Sequence, residues 1–277
     1  MSVGNNNEMH IGIFDSGVGG LSVWKEILKL MPCARFSYVS DCAYCPYGPR
    51  PAGEIVERAR AITRFLLGQG ADVIVVACNT ATAAAIETLR QEFDIPFIGM
   101  EPAIKPAVLN SKSGVIGVLA TKGTFGGELY NNTLRKYALN VEVLEQIGDG
   151  LVELVESGEY NGVEARALLQ KYINPMLEEG ADHIVLGCTH YPFLFEEIRD
   201  IAGKEIVIVD PAPAVAKRLL DIASDRYEFQ AKSSEEDMVH NSNFYSTASV
   251  DILKKLAKLI LPGIPDGKFL SIRIENT

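Results

Sequence analysis

No apolar run in this 277-residue chain reaches the roughly 18 residues needed to span a bilayer. Nor is there a basic block: the formal net charge is −10, which excludes the electrostatic footprint of a nucleic-acid binder and a polybasic membrane patch. The five cysteines are too few for a disulfide framework and suit reduced thiols in a cytosol. The opening residues, MSVGNNNEMH, lack the charged-then-apolar layout of a leader and read as a tail before the first strand. What remains is an ordinary globular composition, 47% apolar and 22% charged, with enough length for one large or two medium domains.

The chain repeats itself. Residues 70–80 read GADVIVVACNT and residues 180–190 read GADHIVLGCTH. Residues 98–103 (IGMEPA) match 207–212 (VIVDPA), and residues 11–16 (IGIFDS) match 116–121 (IGVLAT). Three pairs in one order at a nearly constant shift point to duplication. Short β-branched runs at 11–14, 36–39, 73–76, 97–100, 115–119, 141–144, 183–186 and 206–209 predict strands. Helical faces lie between them: Leu21, Trp24, Ile27 and Leu28; Ile55, Ala59, Ile62 and Leu66; Leu169, Ile173, Met176 and Leu177, with Pro175 expected to kink the last. Alternating strands and helices predict an α/β protein with two pseudo-symmetric, doubly wound parallel-sheet lobes. The residues after 213 have no partner in the repeat. They comprise a helix, a polar stretch at 232–237, a short run at 243–246 and a helix from Ser249. The expectation is a first lobe of 1–100 plus 213–277, a second of 101–212, and an active site in the cleft between them.

Cys78 and Cys188 each end a strand and precede polar residues. The spacing places both at helix N-termini, where free amides and the dipole lower a thiol pKa. The alternative, that each is a small buried hydrophobe, explains one cysteine better than two in matched contexts. Facing thiols suit removal of a proton from one face of a carbon and its return on the other. Asp15 and Ser16 follow the first strand and read as a helix cap in a glycine turn. In the same lobe as Cys78, the Asp15 carboxylate could also hold an ammonium group or tune the thiol. Gly17, Gly19 and Gly20 have the wrong spacing for a dinucleotide fingerprint, and no Gly-Lys-Ser/Thr follows for a phosphate loop. Cys42 and Cys45 form a Cys-x-x-Cys, but no second Cys or His pair has ligand spacing, so the segment reads as a loop whose amides reach a ligand rather than a metal or redox site. His190, two residues past Cys188, is either a helix cap or the proton partner of that thiol. The other anchors are neutral: Ser16, Asn79, Thr80, Thr121 and Thr189. That set suits a small dicarboxylate better than a nucleotide.

The segments DSGVGGLS at 15–22, PYG at 46–48, ACNTA at 77–81 and LGCTHYP at 186–192 resemble the glutamate racemases of the aspartate/glutamate racemase superfamily, in order and spacing from about residue 11 to about 212. The resemblance implies a cofactor-independent, metal-free enzyme that racemises glutamate with two bases and supplies D-glutamate for peptidoglycan synthesis in the cytoplasm. It implies that Cys78 and Cys188 are the acid/base thiols, assisted by Asp15 and His190. Asp15, Ser16, Tyr47, Gly48, Asn79, Thr80, Thr189 and His190 would contact the substrate. The family also places a glutamate beside the histidine; Glu156 is the closest match and Glu153 its rival. Cys42 and Cys45 depart from the family pattern. The resemblance requires no nucleic acid or membrane and leaves the oligomeric state open, a homodimer included. Three other readings stand beside it: an aspartate racemase with the same thiols, a non-catalytic sensor of small carboxylates, and a thiol redox protein built on Cys42 and Cys45.

Overall fold

The computed structural model describes residues 9–101, 103–224 and 234–275, with the Glu235 side chain excepted. The expected N-terminal tail up to residue 8, Pro102 of the repeat, and the start of the polar stretch at 232–237 lie outside the described residues.

The chain begins with β1 (His10–Asp15), α1 (Leu21–Leu30), β2 (Arg35–Ser40), α2 (Ala52–Gly68), β3 (Val73–Val76), α3 (Asn79–Glu92), β4 (Phe97–Gly99) and α4 (Ile104–Asn110). A second series follows: β5 (Val115–Ala120), α5 (Lys122–Phe125), α6 (Glu128–Tyr137), β6 (Glu142–Ile147), α7 (Leu151–Ser157), α8 (Val163–Glu178), β7 (His183–Gly187), α9 (Phe195–Ala202), β8 (Val207–Val209) and α10 (Ala212–Ser224). The chain then forms α11 (Glu235–His240), β9 (Ser242–Ser246), α12 (Asp251–Ile260) and β10 (Phe269–Ser271). Among the described residues no helix is long and apolar enough to cross a membrane.

Two parallel sheets result, ordered β10-β9-β2-β1-β3-β4 and β6-β5-β7-β8. The second order reproduces the β2-β1-β3-β4 run of the first, so the sequence repeat is a repeat of topology. Gly70 and Gly180 open the two GAD segments at φ +87° and +84°, a left-handed conformation that glycine adopts without penalty and that turns each crossover helix back into its strand. Asp72 and Asp182 do matching work. Asp72 accepts the His10 amide at 2.8 Å, and Asp182 accepts the Lys112 and Ser113 amides at 2.6 and 2.9 Å.

The halves differ at one edge. β6 is a half-exposed border strand, whereas its counterpart β2 is buried beyond Arg35 because β9 pairs along it. Phe244 of β9 packs edge-on against Trp24 at 5.1 Å and stacks on Phe269 of β10 at 4.9 Å. One continuous apolar core runs from Ile11 and Val73 in the first sheet to Ile184 and Leu186 in the second. Pro175 falls inside α8, near its last turn.

A buried charge cluster ties the segment after β2 to the C-terminal residues. Arg58 of α2 meets Asp41 with two hydrogen bonds, 2.8 and 3.0 Å, both side chains at most 1% exposed. Asp41 also accepts from Tyr47 at 2.6 Å and Thr247 at 2.9 Å, and Arg58 donates to the Ile274 carbonyl at 2.8 Å. Removing one partner of a buried pair strands the other charge away from water. Arg58→Ala is therefore expected to lose about 3–5 kcal/mol of stability, read from denaturant unfolding, and a loss within experimental error would refute this role.

Candidate active site

The carboxyl ends of the central strands of both sheets converge on one small cavity. It is lined by Ser16, Tyr47, Gly48, Cys78, Asn79, Thr80, Thr121, Val152, Cys188, Thr189 and His190, around an empty volume of about 250 Å³. The two thiols, 110 residues apart in sequence, line the same space, each less than a tenth exposed.

Cys78 caps α3, its sulfur accepting the Ala81 amide at 3.4 Å, and it donates to the Ser16 hydroxyl at 3.8 Å. The expectation of a lowered thiol pKa here is overturned. Burial pushes this thiol well above its ordinary value and the nearby Asp15 carboxylate adds to the rise, while the Ala81 amide opposes them without prevailing. Desolvation of a thiolate outweighs one helix-end hydrogen bond. The matching expectation for Cys188 is corrected in geometry: a 3-10 turn, Tyr191–Leu194, follows it, with Pro192 in its first turn, and α9 starts only at Phe195. What Cys188 has instead is His190, whose Nδ1 lies 3.7 Å from its sulfur.

Asp15 is fully buried. Its Oδ2 accepts the Gly17 and Gly20 amides at 3.3 and 2.9 Å, and its Oδ1 accepts from the Thr189 hydroxyl at 3.4 Å. It holds the glycine loop by accepting two of its amides and is not itself the N-cap residue of α1, a position that Gly20 occupies. Burial pushes its carboxyl above the ordinary range, opposed by the charge of His190. The loop glycines are not there for a left-handed turn, since Gly17, Gly19 and Gly20 all lack positive φ. They are there for close approach: a Cβ on Gly17 would lie 1.9 Å from Glu156 Oε1, and one on Gly19 would lie 2.4 Å from His190 Nδ1.

Glu156 is presented by α7, a short helix bounded by Gly150 and Gly158 at φ +85° and +83°. Its Oε1 accepts from His190 Nε2 at 2.6 Å and from the Val18 amide at 2.7 Å, while Glu153 on the same helix is exposed. Burial alone would raise the Glu156 carboxyl, but the hydrogen bond and charge of His190 outweigh it and hold it below the ordinary value. Burial likewise opposes charge on His190, yet hydrogen bonds with Cys188, Cys45 and Glu156 carry its pKa well above the usual imidazole value. The reading of His190 as a mere helix cap is not borne out, for its side chain makes no cap.

Asn79 is buried on the cavity wall with neither polar atom of its side chain paired within the protein, an arrangement that costs free energy unless a ligand or water completes it. Thr80 and Thr121 join hydroxyls at 2.8 Å. Tyr47 spends its hydroxyl on Asp41, so it offers the cavity something other than that group. Gly48 closes on Thr121, 3.2 Å from where its Cβ would stand. Val152 lines the cavity unanticipated; only the apolar face of α7 signalled it. Cys42 and Cys45 do not line it. Their sulfurs lie beside Glu156 and His190, and burial followed chiefly by the Glu156 charge at Cys42, and partly offset by His190 at Cys45, pushes each thiol up to about 12.

The Glu156–His190 pair fixes a sign for pH dependence. A raised His190 pKa contributes stability that is full below the ordinary 6.5 and is lost as pH rises through the folded value. A lowered Glu156 pKa contributes stability present above the ordinary 4.5 and lost as pH falls through its folded value. Glu156→Gln is thus expected to cost most stability between those limits. In histidine-labelled protein, NMR should find the His190 ring protonated through neutral pH and the variant titrating nearer 6.5; an unshifted titration would disprove the pairing.

The sequence matches the family model described as Asp/Glu/Hydantoin racemase over residues 34–219. It is 45% identical over 258 residues to a glutamate racemase of Methylococcus capsulatus, covering 93% of this chain and 94% of that protein. It is 48% identical over 217 residues to a glutamate racemase of a Roseiflexus species, covering 78% and 80%. The crystal structure of Escherichia coli glutamate racemase in complex with L-glutamate and the activator UDP-MurNAc-Ala superposes with a TM-score of 0.82 at 29% identity, covering 97% of this chain and 99% of that one. A lobe-to-lobe cavity with a thiol from each repeat and matches of this extent lead to one assignment: the chain belongs to the Asp/Glu/Hydantoin racemase family.

Proposed function

We infer that the chain is a glutamate racemase that interconverts the L and D enantiomers with two thiols. The observation that carries this reading is the shared cavity wall of Cys78 and Cys188, one from each half of a repeated topology. Glutamate rather than aspartate follows from the relatives named above, and the unsatisfied Asn79 amide, with the Ser16, Thr80, Thr121 and Thr189 hydroxyls, supplies neutral partners for its carboxylates.

In the proposed reaction one sulfur removes the α-proton while the other delivers a proton to the opposite face; the reverse reaction exchanges the roles. Each thiol has its own proton partner. His190, anchored by Glu156, stands beside Cys188, and Asp15 stands beside Cys78. Burial and Asp15 favour the protonated form of Cys78, which suits it to deliver a proton. The carbanion is the costly species, and fixed donors in a small, water-poor cavity lower its energy. The lobe assignment belongs to the same proposal: 1–100 with 213–277, and 101–212. Its support is the pairing of β9 with β2 and the contact of Thr247 with Asp41. Delivery of D-glutamate to peptidoglycan synthesis in the cytoplasm rests on the resemblance.

Cys78→Ser and Cys188→Ser test the scheme. Each is expected to lower racemisation of L-glutamate, followed by optical rotation, by about 10²–10⁴-fold, the range for loss of a positioned proton-transfer group. Near-wild-type racemisation by either variant would sink it.

A further inference from the structure

We propose that Cys42, Cys45, Glu156 and His190 form a binding site for a thiophilic divalent cation of the Zn²⁺ or Cd²⁺ type, and that an ion held there stops the enzyme. Among the described residues, Cys45, Glu156 and His190 are the only group of three or more His, Cys, Asp or Glu side chains whose donor atoms all lie within 4.8 Å of one another. Cys42 lies beside this group though not within 4.8 Å of every member, its sulfur 3.7 Å from Glu156 Oε2, and a shift toward the others would make it a fourth donor. Bonds of about 2.0–2.3 Å in a tetrahedral zinc site put neighbouring donors roughly 3.3–3.8 Å apart, so Cys45, Glu156 and His190 lie within side-chain adjustment of that geometry. The 2.6 Å contact of His190 and Glu156 must open to admit the ion. Two sulfurs, an imidazole and a carboxylate select a soft or borderline ion over magnesium or calcium.

The fold brings the donors together from three places. The 3-10 turn Cys42–Tyr44 sets the two cysteines one turn apart, with the Cys45 amide on the Cys42 carbonyl at 3.3 Å. Glu156 comes from α7 and His190 from the turn after β7. Gly17 keeps the space clear, since a Cβ there would lie 1.9 Å from Glu156 Oε1 and 3.0 Å from the Cys45 sulfur. The absence of a second Cys or His pair at ligand spacing therefore loses its force, because Glu156 and His190 arrive from far along the chain, Glu156 lying 114 residues after Cys42.

The cluster sits on the Nε2 side of the His190 ring, and Cys188 on the Nδ1 side. An ion there would take the Glu156 charge and the Nε2 lone pair, so the His190 ring could no longer become the imidazolium that stands beside Cys188. Ion binding does not depend on the racemase reading; inhibition does. The test titrates the full chain with Cd²⁺, following the sulfur-to-cadmium charge-transfer absorbance and bound metal by equilibrium dialysis, and assays glutamate racemisation with and without Zn²⁺. Expected are one ion per chain, at least a tenfold loss of racemisation reversed by EDTA, and protection of Cys42 and Cys45 from iodoacetamide by mass spectrometry. Cys42→Ser should keep basal racemisation and raise the inhibiting Zn²⁺ concentration at least tenfold. The charge-transfer band should weaken in Cys42→Ser and Cys45→Ser and persist in Cys78→Ser and Cys188→Ser. No bound ion, a band lost with Cys78 or Cys188 instead, or unprotected Cys42 and Cys45 would overturn the site. Binding without inhibition would overturn its effect on the enzyme, and an ion-free chain that leaves glutamate unchanged would refute the racemase reading while the absorbance still reports on the site.

Discussion

The rest of the structure depends on charge buried at the seam between two lobes. Glu156 and His190 belong to the second series of elements, yet Glu156 takes its second hydrogen bond from the Val18 amide of the first. Both lie where glycines 17 and 19 have no side chain. Any larger residue at those positions would drive the loop off the pair. The lobes can therefore close only around this pair, and closing around it sets Cys78 and Cys188 on a common cavity wall.

Duplication supplies position; divergence supplies chemistry. Equivalent strands β3 and β7 deliver equivalent sulfurs to one space, but their partners differ. Asp15 in the first half corresponds to Ala120 in the second, at the end of the equivalent strand. His190 in the second corresponds to Thr80 in the first. One thiol sits beside a carboxyl group and the other beside an imidazole whose pKa is raised, the asymmetry that the proposed donor and acceptor roles require.

Much of this was legible in the chain. The short continuous β-branched runs marked the eight repeated strands, because parallel strands buried on both faces are apolar throughout. The division into two like halves followed from matched segments. The resemblance named Glu156, whose 34-residue separation from His190 leaves no local pattern. Other things were not legible. The direction of the Cys78 pKa depends on depth of burial, which only packing fixes, and the helix-end signal pointed the other way. The reason for Gly17 and Gly19 lies in residues some 140 to 170 positions downstream, so a turn was the nearer explanation. Tyr47 matched the substrate motif, but its hydroxyl is committed to the buried Asp41–Arg58 pair. Val152 carried no polar signal at all.

The central claim is that two sulfurs act on opposite faces of one carbon. Racemisation of L-glutamate in D₂O, sampled early and resolved by enantiomer, tests it most directly. The account predicts that D-glutamate carries deuterium at Cα while the remaining L-glutamate carries almost none, since the proton leaves to one sulfur and a solvent-equilibrated one arrives from the other. Equal deuterium in both enantiomers, or product that retains the original proton, would contradict it.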